Sequence, residues 1–289
     1  MGWAGTFIAV DWGTTNRRAW RLEDGAVTDE LEDERGVLSV GKSEFPAAVQ
    51  QIRECLGDHP LLMAGMVGSN RGWVEAPYVP CPAGLDEVAS ALCWPEAERT
   101  AIVPGLSCDR PDVMRGEEVQ ILGAVDAGLV PRDAFVCHPG THNKWVTLEG
   151  GRVTGFRTVM TGEMFSLLKG HSILSDLLTD DMSVDEAFCD GVRQGLQGDA
   201  LTAELFSVRA GVLLGTRRKQ DATDFTSGLL IGADIGSSLK GSTGDVFVMG
   251  RPELTHLYAA ALRVAGRTAS EIDGEAAFLA GIQAIAGRL

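Results

Sequence analysis

The sequence predicts an α/β protein of two related lobes, and three observations carry that expectation. The chain is 289 residues long, beyond the usual size of one domain. Each half opens on a similar pattern, an apolar strand entering a Gly-Thr turn: Val10-Asp11-Trp12-Gly13-Thr14 in the first, Cys137-His138-Pro139-Gly140-Thr141 in the second. After each turn come two more strand-like runs and then helical patterns, the order expected of layered sheet and helix.

Residues 6–11 form a compact apolar run ending in an acid and a turn, which reads as a buried first strand. Residues 18–22 alternate, and 26–31 give a third strand. Residues 37–40 (VLSV) read as a short strand, and 43–56 as an amphipathic helix with Ser43 as its N-cap and Pro46 in its first turn. Short strands at 61–64 and 101–103 each enter a Gly-containing loop. A helix over 116–129 sets Ile121, Leu122, Val125 and Leu129 on one face. Gly128 and Pro131 then break the pattern, so the first lobe is expected over 1–130 and the second over 131–289. The second cycle has strands at 134–137, 144–148 and 153–158, then helices at 163–169, 184–196, 201–214 and 225–239. A strand at 245–249 and helices at 253–265 and 275–285 complete it.

Composition narrows the partners. A net charge of −15 argues against a nucleic-acid binder, which needs clustered Lys and Arg to neutralise phosphates. The longest apolar stretches are strand-sized, so no membrane partner is expected. The six cysteines are scattered without a CxxC pair and read as reduced thiols. No basic region leads into an apolar one at the N-terminus, and the expected location is cytoplasmic.

Gly36-Val37-Leu38-Ser39-Val40-Gly41-Lys42-Ser43 satisfies the phosphate-loop pattern GxxxxGK[ST]. That motif needs a buried strand directly upstream, whereas residues 29–35 are DELEDER, a solvated charged stretch. Asp11-Trp12-Gly13-Thr14-Thr15-Asn16 is better placed. Gly13 allows close backbone approach, Thr14 and Thr15 add hydroxyls, and Asp11 offers an oxygen to Mg²⁺ through water. An ordinary hairpin capped by Asp11 is the alternative. The second turn, Pro139-Gly140-Thr141, supports the phosphate reading, because two such turns on facing lobes clamp a triphosphate. His138 and His142 are four apart, but Pro139 and Gly140 between them exclude the helix that would align them on a metal. Arg115-Gly116-Glu117-Glu118 opens a helix with two acids, either dipole-stabilised or one of them a general base.

Together these runs resemble the actin-like sugar kinase superfamily, and within it the 2-dehydro-3-deoxygalactonokinase family. The resemblance spans essentially the whole chain. It includes Ile8 to Asn16 with Arg18, Met63 to Asn70, Ala76-Pro77-Tyr78, Val113 to Glu118, Pro139-Gly140-Thr141-His142, Arg157, Thr161-Gly162-Glu163 and the run from Phe225. It implies two ribonuclease H-like (actin-like) lobes with an interlobe nucleotide and sugar cleft. It also implies a helix at 275–285 packed back on the first lobe. The implied reaction is ATP plus 2-dehydro-3-deoxy-D-galactonate, a small-molecule sugar acid, giving ADP and the 6-phosphate, with Mg²⁺. In this resemblance Glu117 stands where the superfamily keeps its base. Asp11, Gly13, Thr14, Thr15, Gly140, Thr141 and an adenosine loop at Gly250 face the nucleotide. The sugar acid meets Asn16, Arg18, Ser69, Asn70, Arg115, Arg157 and Glu163. A kinase of a related sugar or sugar acid, and a non-catalytic nucleotide sensor, are the alternatives. The sequence sets no oligomeric state.

Replacing Lys42 by Ala should leave nucleotide affinity and turnover unchanged, because Lys42 falls on a turn before a helix. Loss of nucleotide binding in a folded K42A protein would restore the phosphate-loop reading.

Overall fold

The computed structural model describes residues 3, 5–179, 181–241 and 243–289. The chain divides into two compact units: unit 1 comprises Met1–Asp133, Thr147–Phe156 and Gly274–Leu289, and unit 2 comprises Ala134–Val146 and Arg157–Asp273. Among the described residues no helix is long and apolar enough to cross a membrane.

In unit 1, β1 (Thr6–Trp12) pairs antiparallel with β2 (Arg17–Glu23), which pairs antiparallel with β3 (Ala26–Asp33). Helix α1 (Phe45–Leu56) leads to β4 (Leu61–Gly65), parallel to β1. There follow β5 (Tyr78–Pro80), α2 (Leu85–Ser90), β6 (Cys93–Glu96), β7 (Thr100–Ile102), β8 (Gly105–Cys108), β9 (Asp112–Met114) and α3 (Glu117–Asp126). The main sheet has the order β3-β2-β1-β4-β7-β6, and β5-β8-β9 form a separate small sheet. Central strands β1 and β4 are apolar without alternation because both of their faces are covered. Edge strand β3 is exposed and charged, which discourages pairing with other chains. The core of the unit gathers Ile8, Val10, Trp12, Phe45, Ile52, Met63 and Ile102.

Unit 2 repeats the plan. It is built from β10 (Ala134–His138), β11 (Asn143–Glu149) and β12 (Arg152–Val159), whose connecting end Thr147–Phe156 counts with unit 1, then α4 (Thr161–His171), α5 (Glu186–Leu196) and α6 (Leu201–Leu213). Then come α7 (Ala222–Ser238), β13 (Val246–Gly250), α8 (Pro252–Val264) and β14 (Ala269–Asp273), before α9 (Gly274–Ala286) returns to unit 1. Its sheet order is β12-β11-β10-β13-β14, with β13 parallel to both β10 and β14. In both units the first strand carries a hairpin partner on one side and a parallel crossover strand on the other. The similarity of the two Gly-Thr turns therefore extends to the topology of the sheets that hold them.

Two local expectations fail. Residues 37–40 form no strand; Val37–Ser39 is one 3-10 turn, because the Val37 and Leu38 amides bond the β1–β2 hairpin instead of a sheet neighbour. Helix α1 starts at Phe45, with Glu44 and not Ser43 as N-cap, and the Glu44 carboxylate accepts from the Gly41 amide at 2.9 Å. The expected Pro46 in the first turn is there.

Helix pairs approach through glycine. A β-carbon at Gly228 of α7 would lie 2.1 Å from the Phe188 carbonyl of α5, and one at Gly191 of α5 would lie 2.1 Å from the Phe225 carbonyl. In unit 1, a β-carbon at Gly281 of α9 would lie 2.0 Å from the Val119 carbonyl of α3. Gly228→Ala should therefore destabilise the fold by about 1–3 kcal/mol although alanine is the better helix former. Gly170→Ala in α4, where nothing lies within 4 Å, should instead leave stability equal or raised. Urea denaturation of both variants checks the contrast.

Candidate active site

The first hairpin is tight: the Gly13 amide donates to the Asn16 carbonyl at 2.9 Å, leaving Thr14 and Thr15 exposed and Asn16 half-buried. Asp11 stands opposite Arg18 in the β1–β2 register. Arg18 donates to the Asp11 carboxylate at 2.9 Å and to Glu275, in the first turn of α9, at 3.1 Å. Arg18 thus lies within one chain of charges with Asp11.

Glycines bring the start of α3 to the same place. Gly65 ends β4 at φ +93° and Gly116 precedes α3 at φ +106°, conformations that side chains rarely adopt. A β-carbon at Gly116 would lie 3.2 Å from the Gly65 Cα, and one at Gly65 would lie 3.4 Å from Asp11 Oδ1. Asp11 and the Gly116-Glu117 step therefore converge across two residues without side chains.

The two acids of α3 differ sharply. Glu117 is half-buried and accepts from the Arg115 amide at 3.0 Å. Glu118 is fully buried and accepts from the Gly116 amide at 2.9 and 2.7 Å. Burial, with the Glu117 charge adding to it, pushes the Glu118 carboxyl up to about 8, so it is mostly protonated at neutral pH.

Nearby loops hold the other unit 1 residues singled out by the sequence. Asn70 is exposed. The buried Ser69 hydroxyl donates to the Met66 carbonyl at 2.7 Å and closes its own turn. The Arg115 guanidinium is buried, donates to the Ala76 carbonyl at 2.7 Å and lies 4.4 Å from the Tyr78 ring centroid. Its Nε and Nη1 atoms have no partner among the described residues.

In unit 2 the second hairpin follows β10. Gly250, at φ +149°, lies against it: a β-carbon there would be 3.4 Å from the Pro139 carbonyl. One at Gly162 would be 2.5 Å from the Gly140 carbonyl. The Glu163 amide donates to the Thr141 carbonyl at 2.9 Å, and its carboxylate bonds the His142 ring at 2.6 Å. Arg157, on β12, donates to the Ser237 carbonyl at 3.3 Å. A cavity of about 240 Å³ opens beside Gly140 and Thr141, with Leu230, Ile231, Leu257 and Tyr258 on its apolar side.

Behind the hairpin sits a residue the sequence reading missed. The buried Asp234 carboxylate accepts from Asn143 at 2.7 Å, Trp145, Thr161 and Tyr258 at 2.8 Å each, and Ser238 at 3.3 Å. The available signal was an acid within the otherwise apolar run from Leu229 to Ile235. Gly65 lies within the Met63 to Asn70 run, but nothing local in the sequence marks it as the point of approach to Gly116.

The model of the family described as 2-keto-3-deoxy-galactonokinase matches residues 11–285. The chain belongs to that family. Among members of the kinase family, the 2-dehydro-3-deoxygalactonokinase of Escherichia coli K12 is 38% identical over 291 residues, covering 97% of each chain. A Rhizobium meliloti 1021 protein described as probably the same kinase is 40% identical, over 99% of this chain and 98% of its own. A Sinorhizobium meliloti crystal structure described as that of such a kinase superposes with a TM-score of 0.91 at 40% identity, covering 97% of this chain and 98% of its own. At fold level alone, component A of the Acidaminococcus fermentans (R)-2-hydroxyglutaryl-CoA dehydratase is similar. Its TM-score is 0.50 at 13% identity, covering 98% of this chain and 97% of its own.

The Glu118 environment has a measurable consequence. Its folded carboxyl holds a proton up to about pH 8, whereas an unfolded one releases it near 4.5. Across that window the folded state binds more protons, so this residue's contribution to stability falls as pH rises. Glu118→Gln should flatten the decline, seen by comparing thermal unfolding of both proteins between pH 5 and about 8.

Proposed function

We propose that the chain is an ATP-dependent kinase that phosphorylates 2-dehydro-3-deoxy-D-galactonate on its 6-hydroxyl in galactonate catabolism in the cytoplasm. The observation that carries this reading is the convergence of Asp11 and the Gly116-Glu117 step across Gly65, in a chain of this family. In phosphoryl transfer the acceptor oxygen bonds the γ-phosphorus, the bond to ADP breaks, and the hydroxyl proton leaves. Positioning and charge neutralisation supply most of the acceleration.

Glu117 takes the proton. Glu118 is the weaker candidate, because it is buried, already protonated at neutral pH and bonded to its own helix start. The amides of Thr14 and Thr15 in unit 1, and of Gly140 and Thr141 in unit 2, bind phosphate oxygens, while Gly13, whose own amide closes the hairpin, lets the backbone approach them. The apolar cavity beside Gly140 and Thr141, with Gly250 behind the hairpin, suits adenosine. Asn16 and Asn70 are offered to the sugar acid, whereas the Arg115 nitrogens without a partner are buried, so their contact with it requires a shift of the surrounding loops. Arg18, Ser69, Arg157 and Glu163 already have partners within their own units, so contact by any of them requires an exchange of bonds.

The residues fit Mg²⁺ as a nucleotide-bound ion. Among the described residues no cluster of three ligand side chains exists, while Asp11 offers a single carboxylate, and Mg²⁺ commonly takes one or two carboxylates plus phosphates and water. Asp11 would hold it through water, and the ion would offset charge on the transferring phosphoryl group.

Glu117→Gln should lower kcat by about 10²- to 10⁴-fold, toward the lower end, with little change in KM. Asp11→Asn should lower turnover heavily at physiological Mg²⁺. ADP release coupled to a reporter, run over a panel of sugar acids, reads both. Full activity in Glu117→Gln would remove Glu117 as base, and no release with any sugar acid in the parent would overturn the kinase reading.

A further inference from the structure

The phosphate-loop-like run 36–43 plays no part in the function above, yet its first residues lie against the first hairpin. The Gly36 amide donates to the Thr15 carbonyl at 2.8 Å, Val37 to Gly13 at 3.0 Å and Leu38 to Thr14 at 3.2 Å. The preceding Arg35 carbonyl is pinned by the indole N–H of fully buried Trp12 at 2.9 Å. Contact is as close as backbone allows: a β-carbon at Gly36 would lie 2.3 Å from the Thr15 carbonyl carbon and 2.4 Å from that of Thr14.

Peptide geometry turns this contact into an orientation. In a trans peptide the carbonyl of one residue and the amide N–H of the next point in opposite directions. Because the carbonyls of Gly13, Thr14 and Thr15 all face the 36–38 turn, the N–H groups of Thr14, Thr15 and Asn16 all face away from it. Successive amides aimed to one side make an anion-binding concavity.

We propose that the Gly36–Leu38 turn is a positioning element for nucleotide binding, holding three successive hairpin carbonyls so that the Thr14, Thr15 and Asn16 amides face the phosphates. This rests on the reading of the first hairpin as a phosphate site. The turn resembles a phosphate loop in sequence but acts one step removed, through the loop that binds.

The test compares a ligand with phosphates and one without. AMP-PNP with Mg²⁺ and, separately, adenosine are titrated by calorimetry into the parent, Gly36→Ala and Gly41→Ala. Gly41 is the control, since a β-carbon there would meet only the flexible Glu44 side chain, at 3.1 Å. Gly36→Ala should weaken AMP-PNP about tenfold or more and leave adenosine unchanged, with Gly41→Ala like the parent. Unchanged AMP-PNP affinity in Gly36→Ala, or equal weakening of both ligands, would overturn the proposal. Should Gly36→Ala not fold, Trp12→Phe removes the bond to Arg35 and should show a smaller loss with the same selectivity; an unselective effect would count against the turn. A parent that binds AMP-PNP no more tightly than adenosine would overturn the hairpin reading together with this inference. A parental preference that survives in Gly36→Ala overturns the role of the turn alone.

Discussion

Unit 2 is organised around the Asp234 carboxylate, which is 3% exposed and accepts from Asn143, Trp145, Thr161, Tyr258 and Ser238. A buried carboxylate is costly unless its oxygens are satisfied, and here neutral donors do it, with no cation among those bonds. The donors come from β11, from the first residue of α4, from α8 and from the end of α7 itself. Each of these segments borders the second hairpin or the apolar cavity beside it. Losing any one donor leaves part of a charge unpaired in the interior. The network therefore specifies a single arrangement of the elements around Gly140 and Thr141. The same charge helps to raise the Tyr258 hydroxyl and the Cys137 thiol well above their ordinary ranges, after burial itself. Both stay neutral.

Unit 1 reaches a comparable result by removing side chains. Gly36, Gly65 and Gly116 let three backbone segments meet around the end of β1. The charged side chains there, Asp11, Arg18 and Glu275, are partly exposed, and pairs of that kind add little to stability. Their value lies in geometry, since Arg18 spans from the hairpin to the first turn of α9.

Local pattern carried much of this architecture. The buried runs of β1 and β4, the alternation of β2 and most helices were legible, because hydrophobic period reports on which faces are covered. The similarity of the two Gly-Thr turns pointed to two sheets of one plan, and the motif runs to the family. Features set by distant residues were not legible. Residues 37–40 have the composition of a strand, yet their amides are used by a hairpin more than twenty residues away, so they form a turn. Nothing local separates Glu117 from Glu118; only the packing of α3 buries one and leaves the other half-open. Small β5, β8 and β9, each three or four residues long, gave too short a pattern to recognise.

The way unit 1 is assembled also bears on how the chain reaches its native state. Its first 133 residues include the whole six-stranded sheet, but α9, which packs on α3 through Gly123 and Gly281, lies beyond all of unit 2 in sequence. During vectorial synthesis the apolar flank of α3 leaves the ribosome well over a hundred residues before its cover does. All the residues of unit 2 leave the ribosome before α9 does. Unit 1 opens the chain and is yet the last to have all of its residues, whereas domains of a chain usually become complete in order from the N-terminus. Until α9 docks, Val119 and its neighbours on α3 lack their cover, so unit 1 closes its packing only with a helix made after all of unit 2.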